Sequence, residues 1–259
     1  MSRSTTVPPA PGTATTPAAR LARDLAPRLR GTLLLPGEPG YAASLPGHNL
    51  AVVHAPALVV RAADADDVAG TVRAAARHGL SVAVRSTGHG LATAGPDDVL
   101  LDVSQLSCVA VDPEARTATV GPGARWQQVL DAGAPHGLGG LCGSSPGVGV
   151  VGYTLGGGLG PLARAFGLAA DHVRSLDVVT PTGERVTVTA DRRSDLFWAL
   201  RGGGGAFGVV TSMTFDLFAL STVRGGAIVY DAADAPAVLR HWRTWTATLP
   251  EAPRRRSPG

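Results

Sequence analysis

The run Arg85-Ser-Thr-Gly-His-Gly90 places a cation, two hydroxyls, two glycines and an imidazole in consecutive positions. Gly88 and Gly90 have no side chain, so the backbone can come close to a ligand, and successive N–H groups in such a turn point at an anion. Arg85 adds a positive charge suited to phosphate oxygens. His89 then stands beside whatever carries the phosphates. A neutral imidazole is a nucleophile and a proton acceptor. A lone histidine is more often a packing or surface residue, so the setting counts for more than the residue type.

Three other strings invite chemistry and fail a context test. Gly147-Val-Gly-Val-Val-Gly152 and Gly203-Gly-Gly-Ala-Phe-Gly208 both fit the dinucleotide fingerprint. That fingerprint works when a strand precedes it and a helix opens within it. The first follows a Gly/Ser/Pro loop, and the second follows a helix and leads into a strand. Gly143-Ser-Ser-Pro-Gly147 fits the nucleophile elbow with Ser145 as nucleophile. The residue after the serine must donate its N–H to an oxyanion, and Pro146 has none. A Walker-type phosphate loop is excluded because the sequence contains no lysine. Cys108 and Cys142 are too few and too far apart for a disulfide framework or a zinc pattern, so no metal is expected.

The elements that must position these residues are legible from Ala57 onward. Ala57–Arg61 is a β-rich run, and Asp64 caps a helix over Ala65–His78 with Val68, Val72 and Ala76 on one face. Gly79 ends it, and Ser81–Arg85 is the next strand. This β-α-β unit delivers the chain into the Ser86–Gly90 loop, beyond a strand's carboxyl end, where α/β sheets commonly bind ligands. Strands are expected over Val99–Val103, Cys108–Asp112 and Thr117–Val120, the last two as a hairpin, with a helix over Arg125–Ala134. Glycine recurs through Gly137–Gly160. A short helix at Pro161–Phe166, a hairpin of Val173–Thr180 with Arg185–Thr189, a capped helix at Ser194–Leu200 and a strand at Val209–Phe218 follow. A strand at Ala227–Tyr230 and a helix from Ala235 to Leu249 open a further unit. Nearer the N-terminus, a helix is expected over Leu21–Leu29 and a strand within Gly31–Pro36.

Taken together, ordered motifs across roughly residues 30–222 resemble the FAD-binding module of the berberine-bridge-enzyme-like oxidoreductases, in the vanillyl-alcohol-oxidase and p-cresol-methylhydroxylase superfamily. The carriers are Pro56-Ala-Leu-Val-Val-Arg61, Val84-Arg-Ser-Thr-Gly-His-Gly90 and Val120-Gly-Pro-Gly-Ala-Arg-Trp126. Gly149-Val-Val-Gly-Tyr-Thr-Leu-Gly-Gly-Gly158, Asp195-Leu-Phe-Trp-Ala-Leu-Arg-Gly-Gly-Gly-Gly205 and Phe207-Gly-Val-Val-Thr211 complete them. The resemblance implies an α+β fold of PCMH type, two subdomains with FAD stretched between them. It implies that Arg85, Ser86, Thr87, Gly88, His89 and Gly90 hold the diphosphate and that His89 bonds to the flavin 8α carbon. It implies a second wall from Gly143, Ser144, Ser145, Gly149, Gly152, Tyr153, Thr154, Gly157 and Gly158, with Val209 near the adenine end. Trp198 and Phe207 are expected in the core. Some relatives carry a second link through a cysteine; Ser145 occupies that place and Cys142 lies three residues too early, which implies one link. Ala206 stands where asparagine is common. Hydride transfer from an alcohol or amine-type carbon of a small-molecule substrate, with molecular oxygen as acceptor, is the implied activity.

The implied organisation is a leader over 1–20, an FAD-binding domain over 21–222 with subdomains of about 50–112 and 113–222, and the start of an incomplete substrate domain over 223–259. The catalytic base would belong to the missing part, so no catalytic residue is assigned. Two alternatives remain: a truncated, non-catalytic flavin-binding fragment, and a reductase of UDP-N-acetylmuramate-reductase type, which binds FAD without a covalent link. A net charge of +3 and a pI near 9.4 look basic. The dense cationic cluster is Arg254-Arg255-Arg256, with no basic stripe on one element, so no nucleic acid is expected. No apolar run reaches the length of a membrane span. Cysteine usage points to a reducing, cytoplasmic setting.

Overall fold

Residues 16–90, 93–223 and 226–249 are described by a computed structural model. Helix α1 (Pro17–Leu25) and strand β1 (Thr32–Leu34) come first, then β2 (Leu58–Arg61), α2 (Ala65–His78), β3 (Ser81–Arg85) and β4 (Asp98–Asp102). β5 (Val109–Asp112), β6 (Thr117–Val120), α3 (Trp126–Gly133), β7 (Leu138–Gly139), α4 (Val150–Leu155) and α5 (Ala163–Phe166) follow. β8 (Val173–Val179), β9 (Arg185–Thr189), α6 (Ser194–Gly203), β10 (Val209–Asp216), β11 (Phe218–Ala219) and α7 (Ala235–Ala247) complete the order.

The first sheet has the order β1-β2-β4-β3. β4 pairs in parallel with both β2 and β3, while β1 runs antiparallel to β2. A parallel pair needs a crossover, and α2 supplies it. Asp64 accepts the N–H groups of Asp66 and Asp67 at its start, and Gly79 ends it at φ +70°. The second sheet, β5-β6-β10-β8-β9, is antiparallel throughout. One sheet with parallel pairing and one antiparallel sheet make the α+β architecture.

α2 joins the two sheets. Its Val68, Ala69, Val72 and Ala75 share one buried cluster with Leu58, Val60 and Leu101 of the first sheet and with Val179 and Val209 of the second. Arg73 donates to the Gly183 carbonyl at 2.7 Å, and Arg185 pairs with Asp66 at 2.8 Å. A separate core fills the second unit around Trp126, Leu176, Leu200, Met213 and Phe215.

Several expectations need correction. The leader expected over 1–20 gives way to α1 at Pro17, because Thr16 caps that helix by accepting from Ala19 N–H and proline suits its first position. Residues 1–15, like the Arg254–Arg256 cluster, lie outside the described residues. β5 pairs with β6 of the second sheet, so the change of sheet falls between 102 and 109 and not at 112/113; β1 joins the first sheet well before residue 50. Within Gly137–Gly160 the chain forms β7 and α4, which glycine recurrence hid. α6 begins from Arg193 at φ +54° with no side-chain cap, where a capped helix was expected. Trp198 is 75% exposed and Phe207 is 42% exposed, so neither is a core residue. On α6, Phe197 and Leu200 are three apart and take the inward face, which turns Trp198 outward. No strand forms at Ala227–Tyr230.

A candidate flavin cleft between the two sheets

β3 is the edge strand of its sheet, and its free side faces the second unit. Two clefts of about 350 and 280 Å³ lie along this edge and share Val84 in their walls. The larger is lined by the whole run from Arg85 to Gly90 together with Val148, Gly149, Gly152 and Tyr153. The smaller is lined by Val82, Val179, Ala206, Gly208 and Val209 among others. An elongated ligand laid along β3 would touch both.

The two glycine-rich walls meet where Gly149 faces the loop. A Cβ on Gly149 would stand 3.2 Å from Ser86 Oγ and 3.4 Å from Thr87 Oγ1. Gly149 is fixed from behind: α4 starts at the next residue, and Val150 N–H donates to the Ala124 carbonyl at 2.9 Å. Trp126 N–H donates to Val148 O at 3.1 Å, so α3 carries the same segment. Gly152 and Gly90 would meet nothing within 4 Å of an added Cβ, which leaves open space on the cleft side. Ser86 Oγ is buried without a hydrogen-bond partner among the described residues. An orphaned hydroxyl in a glycine-lined cleft fits a polar atom of a ligand such as a phosphate.

His89 is half-buried, and its Nδ1 lies 3.0 Å from Thr87 Oγ1. Its ring stacks on that of His48, centroids 4.0 Å apart and planes 19° from parallel. Burial, then the charges of His48 and Arg125, push the imidazole below its ordinary pKa of 6.5. The neutral, nucleophilic form is therefore favoured. Tyr153 is pushed above its ordinary value by burial and then by Cys142, so its phenol stays a neutral donor. Burial likewise pushes the Cys142 thiol up, which makes it a poor thiolate.

Arg85 lines the cleft, yet its guanidinium is not free for phosphate. Nη2 pairs with Asp102 Oδ2 at 2.6 Å, and Nη1 donates to the Ser44 carbonyl; both partners are buried. In the parallel register Arg85 and Asp102 are direct neighbours, so the pair locks the ends of β3 and β4. This corrects the expectation that Arg85 supplies the anion's counter-charge.

The expected second wall divides. Gly149, Gly152 and Tyr153 reach the larger cleft, and Val209 reaches the smaller. Gly143, Ser144, Ser145, Thr154, Gly157 and Gly158 line neither. Gly143 and Gly158 make room for the Tyr153 ring instead: an added Cβ would stand 3.2 Å from Tyr153 Cε2 and 2.8 Å from Cε1 respectively. Thr154 is buried, and Ser144 and Ser145 are exposed. Because Gly158 also has φ +73° and Ala169 Cβ 2.6 Å away, Gly158→Ala should destabilise by about 1–3 kcal/mol through overpacking, read as a lower urea midpoint. Sequence reasoning missed His48, which no motif marks, and gave no site role to Arg125, although it stands inside the Val120–Trp126 motif. Among the described residues no group of three or more His, Cys, Asp or Glu could hold a metal, and no helix is long and apolar enough to cross a membrane.

Comparison with known proteins gives this cleft a context. A family model described as an FAD binding domain matches residues 56–189, and the chain belongs to that family. The chain is 34% identical over 195 residues to (R)-6-hydroxynicotine oxidase of Paenarthrobacter nicotinovorans, covering 74% of this chain and 42% of that protein. A glucooligosaccharide oxidase structure from Acremonium strictum, described as bearing 6-S-cysteinyl, 8α-N1-histidyl FAD, superposes with a TM-score of 0.70 at 29% identity, over 77% of this chain and 42% of that one. The berberine-bridge-enzyme-like protein 1 of Physcomitrella patens gives 0.68 at 30% identity, over 79% and 44%. The fold is thus the PCMH-type FAD-binding fold, and FAD is its cofactor. The chain spans less than half the length of these three relatives.

Proposed function

We propose that the chain binds FAD along the outer edge of β3, joined to it by one bond from His89, and serves oxidation of an alcohol or amine-type C–H bond of a small-molecule substrate with molecular oxygen as acceptor. The observation that carries this reading is the juxtaposition of His89 and the Ser86–Gly90 loop with Gly149 in one cleft. When bound, FAD supplies the two-electron chemistry, and the protein supplies position and electrostatics. Ser86, Thr87 and the backbone of Gly88 and Gly90 would hold the diphosphate. Val209 and Ala206 would pass the far end. Relatives named as oxidases support the activity.

One link fits better than two. Ser145 stands at the expected second position and is exposed, while Cys142 is a half-buried, weakly acidic thiol. Both cysteines are free, which suits a reducing, cytoplasmic setting. A second reading, a flavin-binding chain with no turnover by itself, is favoured by the exposed Leu239, Trp242 and Trp245 of α7, an apolar face that no described element covers.

Denaturing the purified chain in acid and recording flavin absorbance on the precipitate tests the link. Yellow protein is expected; a colourless pellet with flavin in the supernatant would favour a non-covalent reductase-type site. Substrate-dependent peroxide release then separates an enzyme from a non-catalytic carrier. The lowered His89 pKa sets the pH dependence. Protonation removes the nucleophile, so attachment to added FAD should fall to half its plateau rate only below pH 6.5. A rate that halves at or above pH 6.5 would contradict the depressed value.

A further inference from the structure

We propose that His48 is a positioning residue, whose ring holds the His89 imidazole in the orientation that bonds to the flavin. This rests on the reading of His89 as the anchor. Two contacts hold His48 against the loop. Its backbone N–H donates to the Gly88 carbonyl at 3.0 Å, and its ring lies face to face with that of His89 at 4.0 Å. The close approach depends on glycines on both sides. Gly88 holds φ +75°, and a Cβ on it would stand 3.3 Å from Gly47 Cα.

The stack fixes the plane of the His89 ring, and the Thr87 hydroxyl at 3.0 Å from Nδ1 fixes its rotation within that plane. His48 itself is exposed and is absent from the walls of both clefts, so it does not act by touching the cofactor. Orientation matters here because bond formation needs a ring nitrogen aimed at one carbon, and small misplacements cost rate steeply. In that step the nitrogen bonds to the 8α carbon and each partner loses one hydrogen. The two electrons and two protons pass through the flavin to dioxygen, which leaves as hydrogen peroxide.

The test follows covalent flavin against time after FAD and air are added to protein produced without flavin. His48→Ala should attach about three- to tenfold more slowly, the range expected for losing one ring-stacking contact. His48→Phe, which restores a flat ring without a titratable group, should recover most of the rate. In a His89→Ala background, adding His48→Ala should leave the Kd for FAD within about twofold, because His48 does not form the binding walls. A wild-type rate in His48→Ala, no rescue by His48→Phe, or a Kd raised in step with the rate loss each overturns the proposal. If His89→Ala alone still retains flavin after acid, the anchor reading fails, and with it the premise for His48.

Discussion

His89→Ala should fold, bind FAD reversibly and release all of it on acid denaturation. The substitution removes the one imidazole in the larger cleft and leaves the walls intact. Ser86, Gly149 and Tyr153 do not depend on the His89 ring for their positions; its polar contact is with Thr87 and its stack is with the exposed His48. The loss of stability should therefore stay within about 1 kcal/mol, the range of half-exposed sites without a buried network. The loss of covalent flavin should be complete, because alanine has no nucleophilic atom. Flavin absorbance on the acid precipitate reads the first quantity and urea unfolding of the apo-protein reads the second. Flavin that stays on the His89→Ala chain after acid would move the anchor to another residue.

Much of the scaffold around this cleft was legible in the sequence because its signals are local. Asp64 and Gly79 bound α2, and Val68 and Val72 give it a buried face; all three features act within the helix itself. The hairpins of β5 with β6 and β8 with β9 follow from turn residues between alternating runs. α4 was hidden because its helical signal is six residues long and set among glycines, and its inward Val150 and Val151 are fixed by packing on the second core. Trp198 was misread because a large apolar residue says nothing about which side of a helix it occupies until the neighbouring Phe197 and Leu200 have chosen the inner one.

At the site itself, the loop after β3 could be read from composition, but the pairing of side chains could not. The expected phosphate contact of Arg85 assumed that a cation beside glycines faces a ligand. Its real partners are Asp102, seventeen residues on, and the Ser44 carbonyl, forty-one residues back. Such distances are invisible to a motif. His48 lies equally far from His89 along the chain, and its neighbours Gly47 and Asn49 look like an ordinary loop. The glycines of the second wall were legible as close approaches, yet Gly143 and Gly158 approach Tyr153 and not the cleft. A glycine announces contact without naming the partner.

Asp102→Ala should cost about 3–5 kcal/mol, because it strands a buried guanidinium. Arg85 and Asp102 are 8% and 6% exposed, so water cannot replace the lost carboxylate. The Ser44 and Leu45 carbonyls would still accept from Nη1, but they carry no charge. Removing both partners in Arg85→Met/Asp102→Ala should cost less than the two single changes summed, since no orphaned charge remains. The pair also gives an acid signature. Burial alone would raise the Asp102 carboxyl, but hydrogen bonds from Ser104 and Arg85 outweigh it and hold the pKa below 3.8. A carboxyl lowered by folding stabilises the fold above its unfolded value, and that stability is lost as pH falls through the folded value. Wild-type stability should thus drop below pH 3.8 by an increment that Asp102→Ala lacks. The functional consequence reaches the cleft: the pair ties β3 to β4 at the residue where the Ser86–Gly90 loop begins. Loosening that junction should weaken FAD binding even though Asp102 touches no part of the cleft. Urea unfolding at neutral pH decides the matter, and a destabilisation under about 1 kcal/mol would mean that the guanidinium finds other partners or water.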